Sequence, residues 1–324
     1  MKPSTHLQHI DRQDELDFLK CLLILLMISF HLVYIGDSFP YAKKVVYTFH
    51  MPGFLLISGY VMNIMKPSRQ FMQTILWWAI PYLIMESGYV VMASLLPIRE
   101  HIDVLTLPLF MHKLLVDPLG PYWYLHTVII CGLTYYVVFH VVKLSDVSRF
   151  ILLAMLFFIY GRVFHLVSFS HAMYFMAGAV IRHCSTRFSE VVRPSLWSLA
   201  AFALLIICPA LLDTDTLGGL LIVYAALSGL QALFPCLSTR LRSLTLYLGR
   251  NTLVLFLFSP IFTILCKPLA AWLQFDPTAM LFLIISLLIC VAGSLAIAWL
   301  MDTLHLSRWF FGKEKVLAKY PSHA

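Results

Sequence analysis

The first apolar segment of the chain carries three ionisable side chains, Asp17, Lys20 and His31. Charged groups in such a setting are costly and are functional candidates by default. Lys20 and His31 are eleven residues apart, which at about 100° per residue returns them to nearly one helix face, about 16 Å apart along the axis. Asp17 and Lys20 are neighbours on that face. An imidazole titrating near neutrality can serve as general base toward a hydroxyl, and a cation one end of the helix away could hold the negative groups of a long anionic ligand. Simpler readings exist for each residue alone: Lys20 could snorkel to headgroups with Asp17 as partner, and His31 could be a hydrogen-bonded core histidine.

A second cluster runs from Phe49 to Tyr60, with His50, Pro52, Gly53, Ser58 and Gly59 between them. Pro52 removes a backbone donor and frees a carbonyl, while Gly53 and Ser58-Gly59 permit close helix approach or local unwinding. A cavity-lining role and a Pro-kinked packing helix both fit. His50 could reach toward His31 or act as a structural donor. Further along, Glu86 could orient an imidazole or pair with Arg162. Arg162 with His165 could face an acceptor or meet headgroups, and Trp123 with Tyr124 could stack on a sugar or belong to an interfacial aromatic belt. No H-E-x-x-H or comparable ligand spacing occurs, so no catalytic metal is expected.

These residues are carried by a chain of 324 residues that is 60% hydrophobic, 12% charged and has a mean hydropathy of +0.85. Ordinary soluble domains are about half apolar and about a quarter charged. Nearly the whole chain therefore belongs in a membrane, and no room remains for a soluble catalytic domain. Ten spans can be drawn at about 16–35, 45–65, 71–97, 121–142, 150–168, 171–183, 195–212, 217–236, 244–265 and 278–301, each long enough or nearly so to cross. Segment 103–118, with Pro108, His112, Lys113, Asp117 and Pro118, reads as a loop or an interfacial helix.

The expected fold is thus an all-α integral membrane protein of about ten transmembrane helices. Lys and Arg fall 15 to 5 in favour of the even-side loops and both termini, with Lys20, Arg162 and Arg250 left within or at the edges of spans. That bias makes both termini cytoplasmic. The chain then has three parts: a cytoplasmic segment 1–15, one polytopic domain 16–304 and a cytoplasmic tail 305–324. The first apolar run has no small-residue cleavage site after it and reads as a retained span. The net charge of +7 is scattered in ones and twos between apolar segments, which encodes topology rather than nucleic-acid binding. The seven cysteines form no C-x-x-C pair and read as small apolar residues.

Asp17-Phe18-Leu19-Lys20 followed by His31, and then Phe49-His50-Met51-Pro52-Gly53-Phe54-Leu55-Leu56-Ile57-Ser58-Gly59-Tyr60, resemble the membrane-bound acyltransferase family 3. Its members carry a basic residue and a His separated by ten residues in the first span. Their next span commonly reads F-x-M-P-x-F-x-x-x-S-G-Y, matched here at every fixed position. Pro121-Tyr122-Trp123-Tyr124-Leu125 is similar to the family's aromatic W-F-L start of a middle span, and Gly249-Arg250-Asn251-Thr252-Leu253 to its G-x-N-[ST]-L segment.

The resemblance implies transfer of an acyl group, acetyl first among the candidates, from cytoplasmic acyl-CoA to a hydroxyl of an extracytoplasmic or lipid-linked glycan. His31 would be general base, or would carry a transient acyl-imidazole. Lys20 would hold the donor's negative groups or steady the oxyanion, with Asp17 orienting it. His50, Pro52, Ser58, Tyr60, Glu86, Trp123, Arg162 and Asn251 would contribute to substrate or cofactor binding. Membrane lipids and the glycan are the expected partners, and the inner membrane of a bacterium the expected location. Three departures from the family pattern stand out. Lys20 occupies a position that is often Arg, losing the bidentate fork. Gln73, Trp77 and Trp78 stand where closely spaced Arg residues are frequent, and Phe256 and Ser259 stand where Tyr and His often follow. A polytopic exporter or flippase of a lipid-linked saccharide, or an inactive relative, are the other readings.

Overall fold

The structure, a computed structural model, describes residues 13–96, 100–184 and 186–321; residues 1–12 of the expected N-terminal segment and the last three residues of the tail lie outside them. Among the described residues the chain is all helical, without strands. In chain order the helices are α1 (Asp14–His31), α2 (Val33–Ser38), α3 (Pro40–Val61), α4 (Ser68–Leu95), α5 (Leu107–Leu115), α6 (Trp123–Val141), α7 (Asp146–Arg162), α8 (Phe169–His183), α9 (Phe188–Val191), α10 (Trp197–Leu205), α11 (Leu217–Leu233), α12 (Thr239–Arg250), α13 (Thr252–Leu265), α14 (Leu269–Trp272), α15 (Met280–Thr303) and α16 (Ser307–Phe311). Hydroxyl side chains at Thr106, Ser145, Thr216 and Ser238 accept the N–H groups that open α5, α7, α11 and α12, which would otherwise lack partners.

Each apolar segment expected to span is helical in whole or in part, but the helices are unequal. Among the described residues, four are long and apolar enough to cross a membrane: α4, α6, the run Leu217–Cys236 that contains α11, and α15. A fifth is added if α12 and α13, which meet at an 80° bend, form one broken span. Segment 195–212 holds only the nine residues of α10 and a 3-10 turn, Pro209–Leu211, so α10 is about 14 Å long. Segment 16–35 breaks at Leu32, whose extended backbone ends α1 directly after His31. Segment 103–118 contains a helix, α5, rather than only loop.

The inward and outward faces have the polarity of a membrane protein. Along α15, Ser286, Cys290, Ser294, Ala298 and Asp302 are buried at every fourth position, while Ile284, Leu288, Trp299 and Leu300 are exposed. Apart from Phe282, which is also buried, and the Asp302 carboxylate, the inward side is small or weakly polar and the outward side large and apolar, as expected where lipid rather than water surrounds the helix.

The chain divides into two compact units, 55–187 and 9–54 with 188–324, apart from the undescribed first residues. In the second unit α1 is the central helix, packed by α11, α12, α13 and α15. Its Leu19, Leu23 and Ile28 are fully buried, which accounts for a helix apolar on all sides. The C-terminal stretch is tied to this unit. Asp302 accepts the N–H groups of Val316 at 2.8 Å and Leu317 at 3.1 Å. In the other unit α4 packs on α6, and α6, α7 and α8 pack on one another. There the last turns of α3 meet α8 at van der Waals limit: a Cβ on Gly59 would lie 1.9 Å from the Phe175 carbonyl oxygen, and one on Gly178 1.9 Å from that of Leu56. The close approach anticipated for Ser58-Gly59 is therefore made.

Candidate active site

At the first turns of α1, Lys20 Nζ lies 2.6 Å from Asp17 Oδ1. Their i, i+3 spacing brings this about locally. The surrounding fold adds a second cation: Arg250 donates from Nε to Asp17 Oδ2 at 3.3 Å and from Nη2 to Asp14 Oδ1 at 3.1 Å. Asp17 is buried, with a side chain only 4% exposed, and Lys20 is 26% exposed. A buried carboxylate needs such partners, since an unpaired one carries a large desolvation cost. Arg250 can reach it because Gly249 brings α12 against α1; a Cβ on Gly249 would lie 1.8 Å from the Asp17 carbonyl oxygen. Gly249-Arg250 is thus the structural mate of Asp17-Phe18-Leu19-Lys20.

Asn251, next in the chain, has both ends of its amide engaged. Nδ2 donates to the Tyr247 carbonyl at 2.8 Å and Oδ1 accepts the Ala318 N–H at 2.9 Å. Its observed work is to hold the bend between α12 and α13 and the tail beside the Asp17 cluster.

His31 closes α1 at the opposite end. Continuous helix between residues 14 and 31 keeps Lys20 and His31 about 16 Å apart along the axis, so the ammonium stays remote from chemistry at the imidazole. His31 Nδ1 is 2.8 Å from the Met27 carbonyl oxygen. A carbonyl only accepts, so Nδ1 carries the proton and the lone pair of the neutral ring is on Nε2. His50 has the same arrangement on α3, with Nδ1 2.7 Å from the Val46 carbonyl. Tyr47 is ring neighbour to both, at 6.1 Å from His31 and 5.1 Å from His50 between centroids. Its hydroxyl donates to the Phe30 carbonyl, and Lys43 Nζ is 5.6 Å from its ring centroid. Tyr47 and Lys43 thus join the imidazole end of α1. Pro52 lies inside α3, where Thr48 has no i+4 amide to receive. At Gly53 the helix closes on the side chains of Leu23 and Leu227.

The remaining candidates belong to the other unit. Ser58 Oγ and Tyr124 Oη are 2.6 Å apart, linking α3 to α6. Tyr60 is buried and donates to the Thr186 carbonyl at 3.4 Å. Glu86 is fully buried and its Oε1 accepts the Leu119 N–H at 2.7 Å. Arg162 is exposed at the end of α7, so the pairing considered for these two residues is not made: the carboxylate serves a loop amide instead. Trp123 stacks on His171 at 4.6 Å with an interplanar angle of 16°.

The Acyltransferase domain model of family 3 matches residues 13–301. The chain belongs to acyltransferase family 3. The match runs from Gln13, just before α1, to Met301 in the last turn of α15 and takes in both ends of α1, the Pro52 helix and the Gly249-Arg250 segment. No curated protein and no solved structure matches the chain. As a family member it is an acyltransferase, with the apolar helices of a multi-pass membrane protein.

The residues that sequence reasoning missed are Arg250, Tyr47 and Lys43. Arg250 had a signal, being a cation within a span edge and inside a family-like segment. Tyr47 and Lys43 had none beyond their nearness to His50.

Proposed function

We propose that this acyltransferase takes an acyl group, acetyl first among candidates, from cytoplasmic acyl-CoA and passes it to a hydroxyl of an extracytoplasmic or lipid-linked glycan. It would work within about ten crossings, with both termini cytoplasmic, in a bacterial inner membrane. The observation that carries this reading is α1 itself: one unbroken helix with a cationic cluster at its first turns and an imidazole with an available Nε2 at its last residue. The charge bias assigns the Lys20 end to the cytoplasm. Phosphates of acyl-CoA would meet Lys20 and Arg250 there, and the extended pantetheine arm would bring the thioester toward His31.

In the reaction His31 Nε2 takes the proton of the acceptor hydroxyl as its oxygen attacks the thioester carbonyl carbon. The tetrahedral adduct collapses with cleavage of the C–S bond. The departing thiolate receives the proton from the imidazolium, leaving an ester and free CoA. The continuous helix favours donor binding over oxyanion stabilisation as the part played by Lys20. His50 and Asn251 would support the site at α1 through the contacts they make, and Ser58, Tyr60, Glu86, Trp123 and Arg162 are assigned by the same reading to substrate or cofactor binding.

The test is CoA release from acetyl-CoA by the purified protein with cell-envelope glycan as acceptor, alongside His31→Ala. Release with labelling of the glycan, lost in His31→Ala at unchanged folding, is the expected result. Transfer surviving in a correctly folded His31→Ala protein would overturn the mechanism, and a folded protein indifferent to every acyl-CoA would favour an exporter.

A further inference from the structure

The stretch after α16 returns to the cationic end of α1. Asp302 takes the Val316 and Leu317 amides, and Asn251 takes the Ala318 amide at 2.9 Å. Two residues on, the Tyr320 ring lies 5.4 Å from that of Tyr247 between centroids, tilted by 45°. Tyr247 and Arg250 are three residues apart on α12 and so are neighbours on its surface. Arg250 in turn is joined through Asp17 to Lys20. Hydrogen bonds and a ring contact thereby bring residues 318–320 beside Lys20 and Arg250, all within one compact unit.

Two properties of this juxtaposition point to a ligand. The first is charge. Lys20 and Arg250 face Asp14 and Asp17, so these four charges balance, and a molecule with several phosphates needs positive charge from a further group. Lys319 stands between the attachments at Ala318 and Tyr320; it is exposed, and among the described residues it makes no ion pair. The second property is aromatic. Tyr320 is 54% exposed although its ring meets Tyr247, so much of the ring is open to a further planar partner. An aromatic platform beside cations suits a ligand that is itself aromatic and anionic, which is how nucleotides are commonly held.

We propose that the C-terminal stretch forms the nucleotide end of the donor site. The adenine of acyl-CoA stacks on Tyr320 beside Tyr247, Lys319 takes the ribose phosphate, and Arg250 with Lys20 takes the diphosphate from which the pantetheine arm leaves toward His31. This rests on the acyl-CoA reading and adds to it a basis for donor choice. The donor is selected by its nucleotide, so pantetheine thioesters that lack one, free or on a carrier protein, are poor donors.

The experiment measures equilibrium binding of tritiated acetyl-CoA to the purified full chain in detergent, and of S-acetyl-4′-phosphopantetheine as the thioester without a nucleotide. Wild type is compared with Tyr320→Ala, Tyr320→Phe and Lys319→Gln, none of which removes a backbone amide that holds the stretch. The expected result is an acetyl-CoA Kd raised about tenfold in Tyr320→Ala, the scale of one lost stacking partner, and about fivefold in Lys319→Gln, a charge-assisted contact. Tyr320→Phe keeps the ring and should stay within about twofold of wild type, and the phosphopantetheine Kd should be equal in all four proteins. An acetyl-CoA Kd unchanged in Tyr320→Ala and Lys319→Gln at an unchanged thermal midpoint, or a Kd raised alike for both ligands, would overturn the proposal and leave the acyl-CoA reading standing. A folded wild type that binds neither ligand would overturn the acyl-CoA reading, and the nucleotide site with it.

Discussion

Arg250 and Asp17, 233 residues apart in the chain, are joined by a 3.3 Å hydrogen bond that ties α12 to the first turns of α1. Asp17 also holds Lys20, so one buried carboxylate sets the position of two cations. Replacing Arg250 by Ala leaves Asp17 with half of this partnership. The expected outcome is a lower melting temperature together with a donor KM raised about tenfold, equivalent to about 1.4 kcal/mol. Arg250→Lys should recover part of both, since it restores the charge without the fork.

Gly249 makes this contact possible, and the corresponding expectation is steric. A methyl group placed 1.8 Å from the Asp17 carbonyl oxygen forces the two helices apart. Gly249→Ala should destabilise the protein by about 3 kcal/mol, the upper part of the range for overpacking, read as a fall in thermal midpoint in detergent. Gly59→Ala and Gly178→Ala should behave alike, because each Cβ would meet the other helix's carbonyl oxygen at 1.9 Å.

Lys20 and His31 should separate kinetically. Since about 16 Å of helix lies between them, Lys20→Ala should raise the donor KM tenfold or more with little effect on kcat, whereas His31→Ala should remove kcat. Lys20→Arg should be closer to wild type than Lys20→Ala. A fall in kcat alone for Lys20→Ala would place the ammonium at the reacting carbonyl.

The start of α7 is joined to the end of α8 by Asp146 and His183, with His183 Nε2 3.0 Å from Asp146 Oδ2. The hydrogen bond from His183, followed by the charges of His183 and Arg149, holds the Asp146 carboxyl below its ordinary range. A carboxylate with a lowered folded value contributes stability above its unfolded value, about pH 3.9, and loses it as pH falls through the folded one. Asp146→Asn should therefore remove that contribution at neutral pH and flatten the acid limb of the melting temperature profile below about pH 4. An acid limb as steep as wild type would refute the assignment.

Asp302 holds the chain after α16 through the Val316 and Leu317 amides, and Asn251 holds it through the Ala318 amide. Asp302→Ala should release this stretch, seen as faster proteolytic clipping after Lys315 or Lys319 in the folded protein. An unchanged clipping rate would show that Asn251 and the remaining packing suffice.

The sequence by itself determined the features that depend on composition and short spacing. An apolar chain in lipid can satisfy its backbone only within helices or a closed barrel, and the long apolar segments without alternation selected helices. The Asp17–Lys20 pair is a matter of i, i+3 geometry, and the shared face of Lys20 and His31 comes from helical pitch. The need for small residues at Gly59 was likewise visible in Ser58-Gly59. Only the tertiary structure decided which distant groups meet, because helix order and rotation are not encoded in local periodicity. It brought Arg250 to Asp17, gave Ser58 to Tyr124 and turned Glu86 to the Leu119 amide rather than to Arg162. It also broke the first segment at Leu32, where hydropathy continues without interruption. Hydropathy reports the solvent around a residue, whereas a break depends on which neighbours surround the backbone there.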